Sequence, residues 1–478
     1  MSFSDDFMDD DFNVDELVKR FESMVEHNQS YYFDADELNV IMEHYLQINN
    51  IKKVNIAADI AIAYHPDSPI IQIIRAKQLL ANSHAEEALN ILVNSSIVDK
   101  EDADYNITAG SCYSELGQSK KAIKAYMKAA KALDFTDCED IFNSIAIEYE
   151  NLGEIENALK FFIKGLNRDI DLDSQYFEIR NCYSMLNKMG EAVDFFKSET
   201  DKNPYSVPAW VALASCHVRM GQLEEAIDTY EYALAIDPHN KRAYIDITTA
   251  FNELGRFKDT IETVEEAMRY NVESALLQCL YGEAHSKLGN TSTAISIFKN
   301  AIKLDDNLPE AYAGIGFTLS EQNNPRSAIK FLKHAHTLLP YNTDYLFVIV
   351  DEYNKLGEYD NALKYVKEII EINPYDENAY ISLMECYVLK DDGERAMEAI
   401  DKGLAFVGNQ PSLLYRKAFL YLVQDQTESA LLTLEMALDL DYNGHIEFLN
   451  FDAENLTTNQ AVMDLIEEYR VKNKSKNS

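Results

Sequence analysis

The sequence predicts an all-α fold, a solenoid of helix–turn–helix units repeated along the chain. Three observations predict it. A small residue recurs at a near-constant spacing, a turn-forming residue stands five positions before each recurrence, and the prolines avoid the helix interiors this frame defines. Internal recurrence comes first because a missed repeat misassigns the whole fold.

The small position reads Val54, Ala88, Ala122, Ala158, Ala192, Ala226, Thr260, Ala294, Ala328, Ala362, Ala396 and Ala430. Ten of the twelve are alanine, and every interval is 34 except the 36 between Ala122 and Ala158. The two additional residues are expected in a loop at 135–139.

The turn position holds Asn49, Ser83, Gly117, Gly153, Asn187, Gly221, Gly255, Gly289, Asn323, Gly357, Asp391 and Asp425. Eleven of these twelve are Gly, Asn or Asp, which best tolerate the left-handed backbone that ends a helix. Pro66, Pro204, Pro238, Pro340 and Pro374 close units, whereas Pro69, Pro208, Pro309 and Pro411 open them. Pro325 follows a turn at the start of a second helix. All ten avoid helix interiors, where proline removes a hydrogen bond and clashes.

The stretch PAWVALASCHVRMGQLEEAIDTYEYALAIDPHN, residues 208–240, resembles the tetratricopeptide repeat. Trp210, Leu213, Ala214, Gly221, Ala226, Tyr230, Ala233 and Pro238 occupy that repeat's signature places. The resemblance covers about twelve units over residues 35–444. It implies a right-handed superhelical solenoid of antiparallel helix pairs. One pair cannot bury its apolar stripe alone, so each stacks on its neighbours, with alanines allowing close approach and large residues filling between.

Residues 1–34 are read as an acidic leader followed by a capping helix at 15–27, using Leu17, Phe21 and Val25. Residues 445–478 are read as a second cap at 460–469, using Ala461, Leu465 and Ile466, and then a basic tail. Terminal repeats need such covers because they otherwise expose an apolar face. The outermost residues of both segments are expected to fray.

Composition narrows the function. The net charge is −38, from 81 acidic and 43 basic residues, which disfavours phosphate backbones and anionic membranes as partners. No window is apolar enough to span a bilayer, and the N-terminus lacks the features of a signal peptide. The six cysteines form no CxxC pair. These features point to the cytoplasm.

Catalysis has no visible home. The segments flanking 35–444 are too short for an enzyme domain, and no P-loop, GxSxG or HExxH occurs. Gly314-Ile315-Gly316 is a small-residue packing stretch. Cys112, Cys182, Cys216 and Cys386 share the tenth position of their units, where a free thiol serves as a small buried hydrophobe. His334 and His336, two apart on a helix, do not share a face. No cofactor or metal is expected.

In the tetratricopeptide family the first helices line a concave groove, and positions 2, 5, 9, 12 and 13 contact a partner's peptide or helix. Here acids dominate those positions, Asp351 and Glu385 among them, with fewer bases, such as Lys77, Lys287 and Lys355. Phe177, Phe317, Phe347, Tyr415 and Phe419 fall at positions 5 or 9 and are candidate anchors, unless they pack on their own neighbours. Asn143 and Asn181 match two asparagines of the family's chaperone-binding clamp, but in separate units and without its lysines. The clamp is absent.

Unit five departs from its siblings through Arg180 and Glu199. They are expected to form a partly buried ion pair or to mark a joint in the solenoid. The sequence therefore predicts a non-catalytic scaffold that binds a segment of another protein. A self-assembling structural solenoid is the alternative, the oligomeric state being open.

Overall fold

The computed structural model describes residues 14–27, 31–65, 68, 70–95, 98–135, 138–166 and 172–476. Over those residues the regular elements are 28 α-helices and one short 3-10 turn, Tyr442–Gly444. The acidic leader before residue 14, Pro66, Pro69, positions 136–137 of the expected long loop, and the last two residues of the tail lie outside them.

All twelve turn positions named from the sequence adopt positive φ, from 53° at Asn49 to 80° at Gly289. Ser83, which breaks the Gly/Asn/Asp pattern, does so too, at 62°. The turn geometry is therefore imposed by the helix pair, and the residue type only tunes its cost. The helix on each side closes against this turn, as in Pro309–Glu321 followed by Pro325–Leu338.

The small position is the innermost point of each pair. Eleven of the twelve residues there are fully buried, and Ala430 is 1% exposed. Thr260, one of the two exceptions to alanine, donates its hydroxyl to Asn252 Oδ1 at 2.6 Å, so burial leaves it satisfied. Large residues of the second helices seat in notches opposite glycines. A Cβ on Gly110 would meet the Tyr126 ring at 2.6 Å, and one on Gly316 would meet Leu332 at 2.6 Å.

The chain separates into two compact bodies, Met1–Ile236 and Asp237–Ser478. The division follows the second helix of repeat six, Leu223–Ile236, so each body carries six repeats. In repeat five, Arg180 and Glu199 are both buried. The Arg180 guanidinium lies 5.2 Å from the Phe177 ring centre. Glu199 accepts from Tyr176 Oη at 3.0 Å and pairs with Lys202 at 2.7 Å.

Before repeat one, the helix Val14–His27 buries Leu17 and Phe21, the latter 5.7 Å from the Tyr45 ring. After repeat twelve come two short helices absent from the sequence reading, His445–Asn450 and Ala453–Thr458. Phe448 of the first is fully buried. They precede the final helix, Gln460–Lys476, which buries Val462, Ile466 and Tyr469. Ala461, expected on that inner face, is exposed instead.

Candidate partner-binding site

Repeats are counted from their first residue, so that the eighth starts at 275, the ninth at 309 and the tenth at 343. In the body Asp237–Ser478, the first helices of these three are Ala275–Lys287, Pro309–Glu321 and Thr343–Lys355. They frame a hollow of about 480 Å³. Ten of its lining residues stand at positions 2, 5, 9, 12 and 13: Leu276, Cys279, Glu283, Ser286, Lys287, Glu310, Ala313, Phe317, Ser320 and Glu321.

Small residues create the space. Ala313 presents only a methyl group to the hollow, while the Phe298 ring takes the place of a side chain at position 314. That ring sits where side chains on two first helices would otherwise stand: a Cβ on Gly282 would meet it at 2.9 Å and one on Gly314 at 2.3 Å. The packing role expected of the Gly314 stretch is thus present. The floor is apolar, with Cys279, Phe298, Ala313 and Tyr345 all buried. Leu276 is 38% exposed at the edge.

The rim is acidic. Lys287 is held by Glu321 at 3.2 Å. Glu283 and Glu310 have no cation within ion-pair distance among the described residues. Further along, Asp351 and Glu385 occupy position 9 of repeats ten and eleven. Both touch solvent, yet surrounding protein atoms desolvate them and push both carboxyl pKa values up. Arg416 opposes the shift of Glu385, and Asp351 adds a smaller push upward. Lys355 opposes the shift of Asp351.

The other expected anchors divide. Phe317 is half-buried, lines the hollow, and sits 6.1 Å from the Tyr345 ring. Phe347 is half-buried against the core of repeats nine to twelve. Tyr415 is a correction. It is 2% exposed, donates its hydroxyl to the Asp441 carbonyl at 2.6 Å, and lies 5.6 Å from the Phe448 ring. Repeat twelve has no successor, so the C-terminal segment folds over it and consumes this residue. Phe419 goes the same way, its ring 5.8 Å from Phe451.

In the body Met1–Ile236, Asn143 donates to the Gly165 carbonyl at 3.2 Å and ties off the helix Ile155–Lys164. Asn181 is half-buried on Leu172–Met185, and Phe177 is 47% exposed. Lys77, a base at position 9, is buried and fully engaged by Asn39 at 3.1 Å, Glu43 at 2.7 Å and Asp104 at 3.3 Å. It is a structural cation here.

Two buried acids escaped the sequence reading. Glu148 and Glu352 are 1% and 0% exposed, and both stand at the tenth position, where most of their siblings carry Cys or Ala. One oxygen of each accepts from a serine of the preceding repeat, Ser114 and Ser320. The other oxygen of each has no hydrogen-bond partner among the described residues. The available signal was an acid at a small-residue position with a serine about one period earlier.

All six cysteines are free and buried. Burial pushes the thiols of Cys112, Cys182, Cys216 and Cys279 up to about 12, so none is activated as a nucleophile. The His334 ring lies against Tyr312 at 4.2 Å, while His336 pairs with Glu368 at 2.9 Å. The two imidazoles thus serve different neighbours.

Comparison with known proteins adds sequence and fold relatives. Family models described as tetratricopeptide repeat match residues 207–240, 354–413, 103–132 and 275–308. The first and last of these coincide with repeats six and eight. No curated protein matches the chain. Among solved structures, the APC/C hetero-tetramer Cut9–Hcn1 is similar at 14% identity and a TM-score of 0.36, covering 95% of this chain and 99% of that one. A tetratricopeptide repeat protein from Parabacteroides merdae is similar at 15% identity and a TM-score of 0.38, covering 55% and 98%. YrrB, titled a TPR protein with an unusual peptide-binding site, is similar at 21% identity and a TM-score of 0.32, covering 40% and 98%.

Proposed function

Because this chain is a tetratricopeptide repeat protein, a class of protein-interaction scaffold, we propose that it works without catalysis by seating a segment of a partner protein on its first helices. The observation that carries this reading is the hollow between repeats eight, nine and ten. It is an apolar recess built from the positions that face a ligand in a repeat solenoid, and it is left unfilled by the chain's own described side chains. The buried, unactivated thiols and the separate engagement of the two neighbouring histidines support a binding rather than a chemical role. No helix among the described residues is long and apolar enough to cross a membrane. That fits the cytoplasmic placement we favour.

A photo-reactive side chain placed at Leu276 or Ser286 tests the reading in the native cell. Cross-links to another polypeptide are expected there, and few from the same group at His334, an exposed residue of a second helix. Equal yields at both places would sink it. A groove product of twice the chain mass would favour self-assembly there.

A further inference from the structure

We infer that repeats one and twelve are docking surfaces for a second copy of this chain, the outer face of repeat one in one molecule seating against the outer face of repeat twelve in the next. The inference is independent of the groove reading, because it uses second helices and leaves the first helices free.

It follows from two positions of the repeat. Two and six residues after the small position, one turn apart on a single face, the second helix points its side chains away from the pair. In repeats two to eleven, nineteen of those twenty residues are polar or charged. The exception, Tyr232, stacks on Trp210 at 4.8 Å. Repeats one and twelve differ, holding Ile56 with Ile60 and Leu432 with Met436. One turn further on, Tyr64 and Leu440 extend each pair into an apolar stripe. Tyr64 and Leu432 are 73% and 64% exposed, and of the six only Ile60 is half-buried.

The capping helices leave both stripes in water. The first reaches repeat one through Glu22, bonded to Tyr45 at 3.2 Å and to Lys53 at 2.6 Å. The last reaches repeat twelve through Tyr469, bonded to Glu435 at 3.4 Å. Three exposed apolar side chains in a row on one helix face favour association, since contact removes them from water.

Charge selects the pairing of unlike stripes. Four residues before Ile56 stands Lys52, and four before Leu432 stands Glu428. Both are exposed and have no ion pair among the described residues. At the far end of the repeat-twelve stripe is Asp439, also exposed, and Lys472 beside it pairs with Glu468 at 2.9 Å. Two copies of repeat twelve set side by side bring Glu428 against Glu428 if the helices run parallel, and against Asp439 if they run antiparallel. Repeat one brings Lys52 to Glu428 or to Asp439 instead, so either direction opposes unlike charges. The matching acids on the flank of each stripe are already bonded, Asp59 by Gln78 at 2.9 Å and Glu435 by Tyr469.

Because the two surfaces differ, each contact leaves one of each kind free, and copies add into rings or open filaments. One helix against one helix buries less than the about 1,200–2,000 Å² of stable complexes, so assembly is expected at micromolar concentrations and above.

Sedimentation velocity of the full-length chain from about 1 to 200 μM tests this. The mean mass is expected to rise through dimers to larger species. Ile56→Gln with Tyr64→Gln disables repeat one, and Leu432→Gln with Met436→Gln disables repeat twelve. All four side chains are exposed, and circular dichroism melts would certify the fold. Each double variant alone is expected to associate at least about tenfold more weakly. An equimolar mixture of the two is expected to regain dimers and nothing larger, since one intact surface of each kind remains. Lys52→Glu is expected to weaken the contact of the unmodified stripes about threefold or more.

A chain that stays monomeric throughout leaves the stripes to another protein and overturns the inference. So does assembly that ignores both double variants. Dimers that persist in one double variant alone, or a mixture that regains none, overturn the pairing of unlike stripes. Association indifferent to Lys52→Glu overturns the charge argument behind it.

Discussion

Replacing Gly314 with alanine is expected to destabilise repeats eight and nine by about 2 kcal/mol, against the ordinary helix preference. In a helix interior, Gly→Ala normally gains about 1 kcal/mol. Here the new Cβ falls 2.3 Å and 2.4 Å from Phe298 Cε1 and Cζ, inside any tolerable contact. Phe298 is 3% exposed, so a ring pushed from its place must displace packed neighbours. Overpacking of this kind costs about 1–3 kcal/mol, and a ring so closely packed belongs at the upper end. The difference leaves about 2 kcal/mol of net loss. Native-state hydrogen exchange over residues 275–321 is the proper assay, since repeat arrays open locally and need not unfold in one step. Gly190→Ala is the control: nothing lies within 4 Å of its Cβ position, and it should gain up to about 1 kcal/mol. Adding Phe298→Leu to Gly314→Ala should restore part of the loss, a coupling that a double-mutant cycle measures. Equal or greater protection in Gly314→Ala alone would refute the packed-ring account.

Three further outcomes are expected. Ser83 holds φ at 62° without the local hydrogen bonding that makes Asn or Asp tolerant, so Ser83→Gly should stabilise repeat two by about 1 kcal/mol, read as slower exchange there. With thiols pushed up to about 12 by burial, Cys112, Cys182, Cys216 and Cys279 should resist an aromatic disulfide reagent at pH 8 until denaturant is added; prompt labelling of the native chain would contradict their burial. Asp351 and Glu385 bind protons more tightly folded than unfolded, so their joint contribution to stability is greatest at low pH. It falls as pH rises from their ordinary values of 3.8 and 4.5 through the raised folded values. At pH 7 the cost is fully present, and Asp351→Asn with Glu385→Gln should raise the melting temperature there but not at pH 3.

How much was legible differs between the frame and the site. The frame was fully readable: twelve turn positions chosen from residue type all carry positive φ, and twelve small positions all lie at the centre of their pairs. Both properties are local, set by the handedness of the backbone and the closeness of two helices, and they repeat. The anchors were only partly readable. Position 9 gives Phe317 a place on the hollow, whereas position 5 gives Tyr415 a place beneath the C-terminal segment. The family pattern is the same at both, and the difference lies in which element packs over each residue.

The sequence by itself determined the repeat, its register, its turns and the direction in which each helix turns its small residue inward. Each depends on a few neighbouring residues and is reinforced twelve times over. Only the tertiary structure decided where a vacancy remains. The hollow is lined by residues of the eighth, ninth and tenth first helices together with Phe298 of an intervening second helix, a meeting of elements that no single repeat encodes. The structure likewise decided which charges stay unanswered. Lys77 is spent on Glu43 and Asp104, while Glu283 and Glu310 at the hollow have no cation within ion-pair distance among the described residues. Net charge is a sum over the chain, but a binding site is set by the charges that packing leaves without a partner.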